Sequence, residues 1–327
     1  MSNSSPTSPE EEEMLRESQQ RRRSSAASAV GTSLSVPVKR TSFSVASMTS
    51  VTKMTTDFSK LFCLEKITSN LYGPSNPPMD WADITFLIPH EAIRREIAAM
   101  SKSITKLNDN GDSSSFEPWQ AVYFCEWFVD HLLPAVLDHH HNEEVIYFPW
   151  VRTKVELPNK KLSDGHVELI AKLATIQTIC ETVIHKGGVD CTDELAELKD
   201  KMLELEKDML DHLQEEETDI PPLLRANFTK EEEDPIIQKI GQSGGLGGIR
   251  LIFPCIVLAM KEWASPLFFD DFMATIPAPI RHLMDTYIVP DELNCVVPKR
   301  DAPFLSEKPA LNRVKCCRVP FCCPCII

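Results

Sequence analysis

The chain has 327 residues, 43% of them hydrophobic, with 34 basic against 48 acidic side chains and a net charge of -14. That length allows one or two domains with a substantial core, and the acidic balance argues against a nucleic-acid partner, which needs clustered Lys and Arg. No apolar run approaches the ~20 residues of a membrane span, and the longest, Leu251 to Met260, contains Pro254.

Residues 1 to about 56 are rich in Ser, Thr and charge and poor in large apolar groups, which predicts a disordered tail. Within it, Arg21, Arg22, Arg23, Ser24 and Ser25 read as solvated chain ahead of a kinase site or a nuclear signal. Glu10 to Glu13 stand where a secretory signal would need apolar residues, and they also count against a mitochondrial transit peptide. The expected location is the cytoplasm, with the 11 cysteines reduced.

From Thr85 the pattern is helical. Helix one is expected to start near Pro89, since proline suits a first turn. Leu87, His90, Ile93, Ile97, Met100 and Ile104 follow at three- and four-residue steps. After a loop from Asn108 to Ser115, helix two is predicted from Glu117-Pro118 to about Val151, with a possible kink at Pro134. Its inward stripe reads Val122, Val129, Leu133, Val136, His140, Glu144, Tyr147, Val151. Ser163-Asp164 supplies a capping signal for helix three, which presents His166, Leu169, Ile170, Leu173, Ile176 and Val183 and stops at Gly187-Gly188. Thr192-Asp193 opens helix four, where Leu195, Leu198, Met202, Leu205, Met209, His212, Glu216 and Ile220 share one face and Pro221-Pro222 is expected to end it. The fold class is therefore all-α: an up-down four-helix bundle over 80–225, a helical extension over 235–298 after the Gly-rich turn at 241–248, and an irregular Cys-rich tail over 299–327.

His212 and Glu216 continue an apolar stripe, so both point inward, where a lone carboxylate costs several kcal/mol unless paired, protonated or metal-bound. His140 and Glu144 do the same on helix two. The segments 139–149 and 211–221 align without a gap, pairing His140 with His212, Glu144 with Glu216 and Pro149 with Pro221. That register sets His139 and His141 aside as partly solvent-facing or outer groups and leaves Glu143 and Glu215 as outward charges, with a ligand or an acceptor for an imidazole N–H as the alternative role. His90 and His166 open helices one and three alike, so the sequence reads as two copies of one unit. Four imidazoles and two bridging carboxylates at one level of the core make a binuclear metal site.

His90, His140-x3-Glu144, His166 and His212-x3-Glu216 resemble the hemerythrin-like (HHE cation-binding) family over residues 85 to about 225. The resemblance implies a four-helix bundle with a non-haem di-iron centre that reacts with dioxygen. One position departs from it: oxygen carriers place a second His one turn along helix three, where this chain has Ile170, while Glu217 offers a further carboxylate beside Glu216. Fewer nitrogens and more open positions point away from reversible oxygen carriage. The expected function is binding of dioxygen or a related small ligand for oxygen or iron sensing or storage. A di-iron oxidase, a peroxide-consuming enzyme or a metal-dependent interaction protein are the alternatives. No Glu precedes any His by three residues, which removes the ferritin-type pattern, and no Cys sits at ligand spacing from these histidines, which counts against zinc.

His131, His185 and His282 read as ordinary polar residues, and Trp119, Trp127, Phe148 and Trp150 as core. Tyr147 reads as core that could line the pocket. In the tail, Cys316, Cys317, Cys322, Cys323 and Cys325 beside basic residues suit reversible palmitoylation and membrane association, whereas Pro324 at the fourth position from the end rules out a prenyl signal.

Overall fold

A computed structural model describes residues 80–108, 116–157 and 160–311. The Ser/Thr-rich tail over 1–56 and the cysteines from Cys316 onward lie outside the described residues. Within them every regular element is helical.

Helix α1 spans Trp81–Asn108 and so begins before Pro89, which lies inside it. Interior proline costs about 3 kcal/mol or more. Two features offset that cost. Ala82, Ile84, Phe86, Leu87 and Ile88 are all buried ahead of the proline. Asp80 closes the helix start, accepting from Ala82 N–H at 3.0 Å while its own N–H donates to Asp83 at 3.1 Å. Arg225 clamps Asp80 from the far side of the fold with bonds of 2.7 and 3.0 Å.

The second rod runs as α2 (Pro118–Trp127), a π turn (Phe128–Leu132), α3 (Leu133–Asn142), a second π turn (Glu143–Tyr147) and α4 (Phe148–Val151). Each π turn ends two residues before a proline, Pro134 and Pro149, and two more in the C-terminal region (Met284–Ile288 and Glu292–Val296) precede Pro290 and Pro298 in the same way. The cause is local. Proline has no N–H for the carbonyl four residues back and its ring crowds that carbonyl, so the turn widens and the preceding N–H bonds five residues back instead. Phe148 N–H reaches Glu143 O in this manner, and Leu133 N–H reaches Phe128 O.

Helix α5 covers Lys160–His185 and α6 covers Thr192–Asn227. Ser163-Asp164 therefore lies within α5 and does not cap it. Pro221-Pro222 does not stop α6, because Ile220, Pro221 and Leu224 are buried in a cluster with Phe86, Phe148 and Phe228. Helices α1 and α6 run in opposite directions: His90 near the start of one meets Glu217 near the end of the other, and Asn108 donates to Leu195 O at 3.1 Å.

Between α5 and α6 the chain turns on Gly187 and Gly188, at φ of 64° and 76°. A Cβ on Gly187 would meet nothing, whereas one on Gly188 would stand 2.1 Å from Pro118 O. Gly187→Ala should then cost about 1 kcal/mol of backbone strain, and Gly188→Ala at least about 3 kcal/mol, because backbone must also move. Urea denaturation of the two variants checks this ordering.

The extension packs on the opposite side of α1. Helix α7 (Lys230–Ser243) and helix α8 (Gly245–Trp263) meet at a corner where Gly245 has φ 53°. Ile249, Phe253, Ile256 and Met260 of α8 share a core cluster with Ile84, Ile88 and Ala92 of α1. Among the described residues no single helix is long and apolar enough to cross a membrane. Cys125, Cys180, Cys191, Cys255 and Cys295 are buried.

Candidate metal centre

His90 from α1, His140 from α3, His166 from α5 and His212 with Glu216 from α6 all converge in the core. His140, His166 and His212 form one group whose ligand atoms lie within 4.8 Å of one another, and His90, His139, Glu143 and Glu216 form a second within the same limit. Glu216 joins the two: Oε1 is 3.3 Å from His212 Nε2 and 3.4 Å from His166 Nε2, and Oε2 is 3.4 Å from His90 Nε2. Glu143 does likewise, with Oε1 3.3 Å from His139 Nε2 and Oε2 3.5 Å from His166 Nε2.

Three residues differ from their sequence-based assignments on helix two. Glu144, expected to face inward, has a side chain 33% exposed and accepts from His166 Nδ1 at 2.8 Å from outside the group. Glu143, expected to face outward, is buried and takes the inward place. The reason is the π turn starting at Glu143: the wider turn advances the inward face by one residue, so His139, His140, Glu143, Tyr147 and Phe148 are buried in sequence. The matching stretch of α6 stays α-helical, so Glu216 keeps its inward position. His139, expected at the margin, is also buried, and His141 is exposed. Ile170 is 42% exposed, so helix three presents no second group here, and His139 brings the fifth imidazole instead. The local signal is Pro149, which pairs with Pro221 in the sequence register but follows a widened turn where Pro221 lies within plain α-helix.

Outer contacts set the tautomers. His90 Nδ1–H donates to Glu217 at 2.8 Å, and Arg94 fixes that carboxylate with bonds of 2.7 and 2.9 Å. His166 Nδ1–H donates to Glu144. When a cation displaces the Nε2 protons, both rings would therefore present a lone pair at Nε2 to the centre. Charge follows the same layout. Burial opposes charge on His90 and His166, but the acids beside them hold His90 well above the ordinary range and bring His166 up to about 9. Burial also opposes ionisation of Glu216, yet His166 and His90 keep it well below the usual carboxylate range. Burial and the Glu216 charge push Glu143 up to about 7. Burial, reinforced by neighbouring imidazoles, keeps His139, His140 and His212 low.

The donor set fits a cation. His90 Nε2, His139 Nε2, both nitrogens of His140, His166 Nε2, His212 Nε2, Glu143 Oε2 and both oxygens of Glu216 are buried without a hydrogen bond. Orphaned polar atoms in a core are costly, and these all belong to one cluster. Residues 86–224 match the family model described as Hemerythrin HHE cation binding domain. This stretch resembles a hemerythrin HHE domain. No curated protein and no solved structure matches the chain. Within this stretch the His and Glu groups are placed so that they could hold a cation, and Gly165 allows His212 close approach: a Cβ there would stand 3.2 Å from His212 Nδ1.

Beside the centre, a cavity of about 160 Å³ with mostly apolar walls touches His139 and Glu143 on the domain side and Ile237, Ile249 and Phe253 on the extension side. Tyr147 O–H donates to Glu233 at 2.7 Å on its wall. Burial pushes Glu233 up to about 7 against the pull of Tyr147 and Thr85. An acid whose folded pKa exceeds its unfolded value binds its proton more tightly when folded. Its contribution is complete below about pH 4.5 and is lost as pH rises to about 7. Wild type should therefore lose about 3 kcal/mol more stability across that window than Glu233→Gln, read from urea midpoints.

Proposed function

We propose that the HHE domain is an up-down four-helix bundle that holds two non-haem iron ions and binds dioxygen or a related small ligand, for oxygen or iron sensing or storage. His140, His166 and His212 would hold one ion and His90 and His139 the other, with Glu143 and Glu216 between them. The single observation carrying this reading is the cluster of buried imidazole and carboxylate atoms that lack hydrogen-bond partners. Five imidazoles with two carboxylates suit iron better than tetrahedral zinc. Bound iron supplies a ferrous–ferric couple and coordination positions for a small ligand.

The chain's own part is to bind, orient and screen. Glu217 and Glu144 hold the Nδ1 protons of His90 and His166 and so aim each Nε2. Phe148 lies parallel to the His166 ring at 5.8 Å, and Phe86 lies edge-on to His90 at 5.6 Å, so apolar surface surrounds the donors and limits water. The apolar cavity supports a small uncharged ligand: cavities near 150 Å³ admit molecules of about benzene size. That spare volume also favours a second reading, an oxidase acting on a small apolar substrate.

Purified full-length protein should carry about two irons per chain, with charge-transfer absorption that changes with oxygen. Reversible change supports ligand binding, and turnover with a reductant supports the oxidase. Zinc alone, or less than one metal ion per chain, would overturn both. Cytoplasmic residence, with membrane association through the Cys-rich tail, belongs to the same proposal and is tested by fractionation with and without hydroxylamine, which releases thioester-linked lipid.

A further inference from the structure

His131, dismissed at the sequence level as an ordinary polar residue, is buried in the π turn Phe128–Leu132. Its Nε2 lies 3.2 Å from Cys255 Sγ on α8 and 3.3 Å from Glu292 Oε1 in the π turn Glu292–Val296. Their ligand atoms lie within 4.8 Å of one another, and all three residues are buried. Cys255 and Glu292 fall outside the family domain, so this group belongs to the junction between the domain and its extension.

Hydrogen bonding alone leaves the group unsatisfied. One ring nitrogen either donates a proton or accepts one, and so cannot serve both a thiol and a carboxylate as donor and acceptor at once. The Cys255 thiol has an alternative acceptor in Leu251 O at 3.6 Å. Glu292 Oε1 has none: the residue is 3% exposed and that oxygen makes no hydrogen bond. The two guanidiniums whose charge reaches Glu292 are committed elsewhere: Arg300 bonds both oxygens of Glu96 at 3.1 Å and Asp301 at 2.8 and 3.2 Å, and Arg95 bonds Glu96 and Glu262. A buried carboxylate oxygen aimed at an imidazole and a thiol is an arrangement that a cation completes.

We propose that His131, Cys255 and Glu292 form a mononuclear site for a zinc-type divalent metal that fastens the C-terminal extension to the HHE domain. One thiolate, one imidazole and one carboxylate are three donors of the kind zinc accepts, with a fourth position left for water. The thiol proton leaves on binding, so uptake releases a proton to solvent. This site is independent of the iron reading, because it shares no residue with the histidine–glutamate centre.

Cobalt(II) separates the two centres, since only a thiolate ligand gives thiolate-to-cobalt charge-transfer absorption and the histidine–glutamate centre has no cysteine. The probe is cobalt added to the full chain in which Cys63, Cys316, Cys317, Cys322, Cys323 and Cys325 are replaced by serine, removing cysteines outside the described residues as a source of thiolate. The expected result is a band that saturates at one equivalent, bleaches on adding zinc, and is absent in Cys255→Ser, whose iron content matches the parent. No band, a band zinc does not bleach, or a full band in Cys255→Ser overturns the proposal. Should Cys255→Ser lose its helical circular dichroism, Glu292→Gln decides: cobalt affinity at least tenfold weaker supports the site, and unchanged affinity overturns it.

Discussion

With the two irons proposed above bound, Glu143→Gln is expected to cost the protein at least one of them, while Glu144→Gln keeps both. Glu143 has one oxygen toward each histidine group and sits where no water could replace it as a ligand without entering the core. An amide at that position loses the negative charge that faces both cations, and offers its oxygen to only one of them. Glu144 touches no ligand atom facing the centre; it accepts the Nδ1 proton of His166. Losing such an outer partner typically weakens metal affinity by about 10–100-fold without changing how many ions bind. Iron content after dialysis against buffered ferrous iron should therefore be near one or below for Glu143→Gln and near two for Glu144→Gln. The reverse outcome would mean that helix two continues as plain α-helix past Asn142, and the π turn would have to be given up.

Which parts of this site could be read from sequence follows from how local their causes are. His90, His166, His212 and Glu216 were readable because each extends an apolar stripe on a regular helix, where a 3.6-residue repeat fixes the face. Glu143 and His139 were not, because the inward face of helix two depends on a proline six residues beyond Glu143 changing the hydrogen-bond pattern behind it. The rule was present in the sequence four times over, at Pro134, Pro149, Pro290 and Pro298, yet Pro221 shows that a proline does not always widen its helix. The start of α1 was misplaced for a related reason: Pro89 suits a first turn locally, but buried contacts from Ala82 to Ile88 and the distant Arg225–Asp80 clamp extend the helix past it. The role of the extension was unreadable altogether. Its contribution, one wall of the cavity and the partner face for α1, depends on contacts such as Ile84 with the α8 cluster that no periodicity reports.

Chelation should lower the melting temperature of this protein sharply, and by more than any single outer-contact substitution. The centre sits between the larger cluster that holds Trp127, Met100 and Leu205 and the cluster that holds Phe86, Phe148 and Phe228. Without a cation, charge there is balanced only by protons on His90 and His166 facing Glu216 and Glu217, while several nitrogens and oxygens keep no partner. An ion that binds the folded state alone adds RT ln(1 + [L]/Kd), about 4 kcal/mol for free metal a thousandfold above Kd. For a domain of this size each kcal/mol moves the midpoint by roughly 2–4 °C, so each ion should be worth about 8–16 °C at that excess. The shift should grow with the logarithm of free metal and shrink in Glu216→Gln, which loses the carboxylate common to both groups. Calorimetry of holo, chelated and Glu216→Gln protein at matched free metal reads all three terms. Equal midpoints for holo and chelated protein would mean that the core tolerates those orphaned atoms unaided, and the case for bound iron would fall with them.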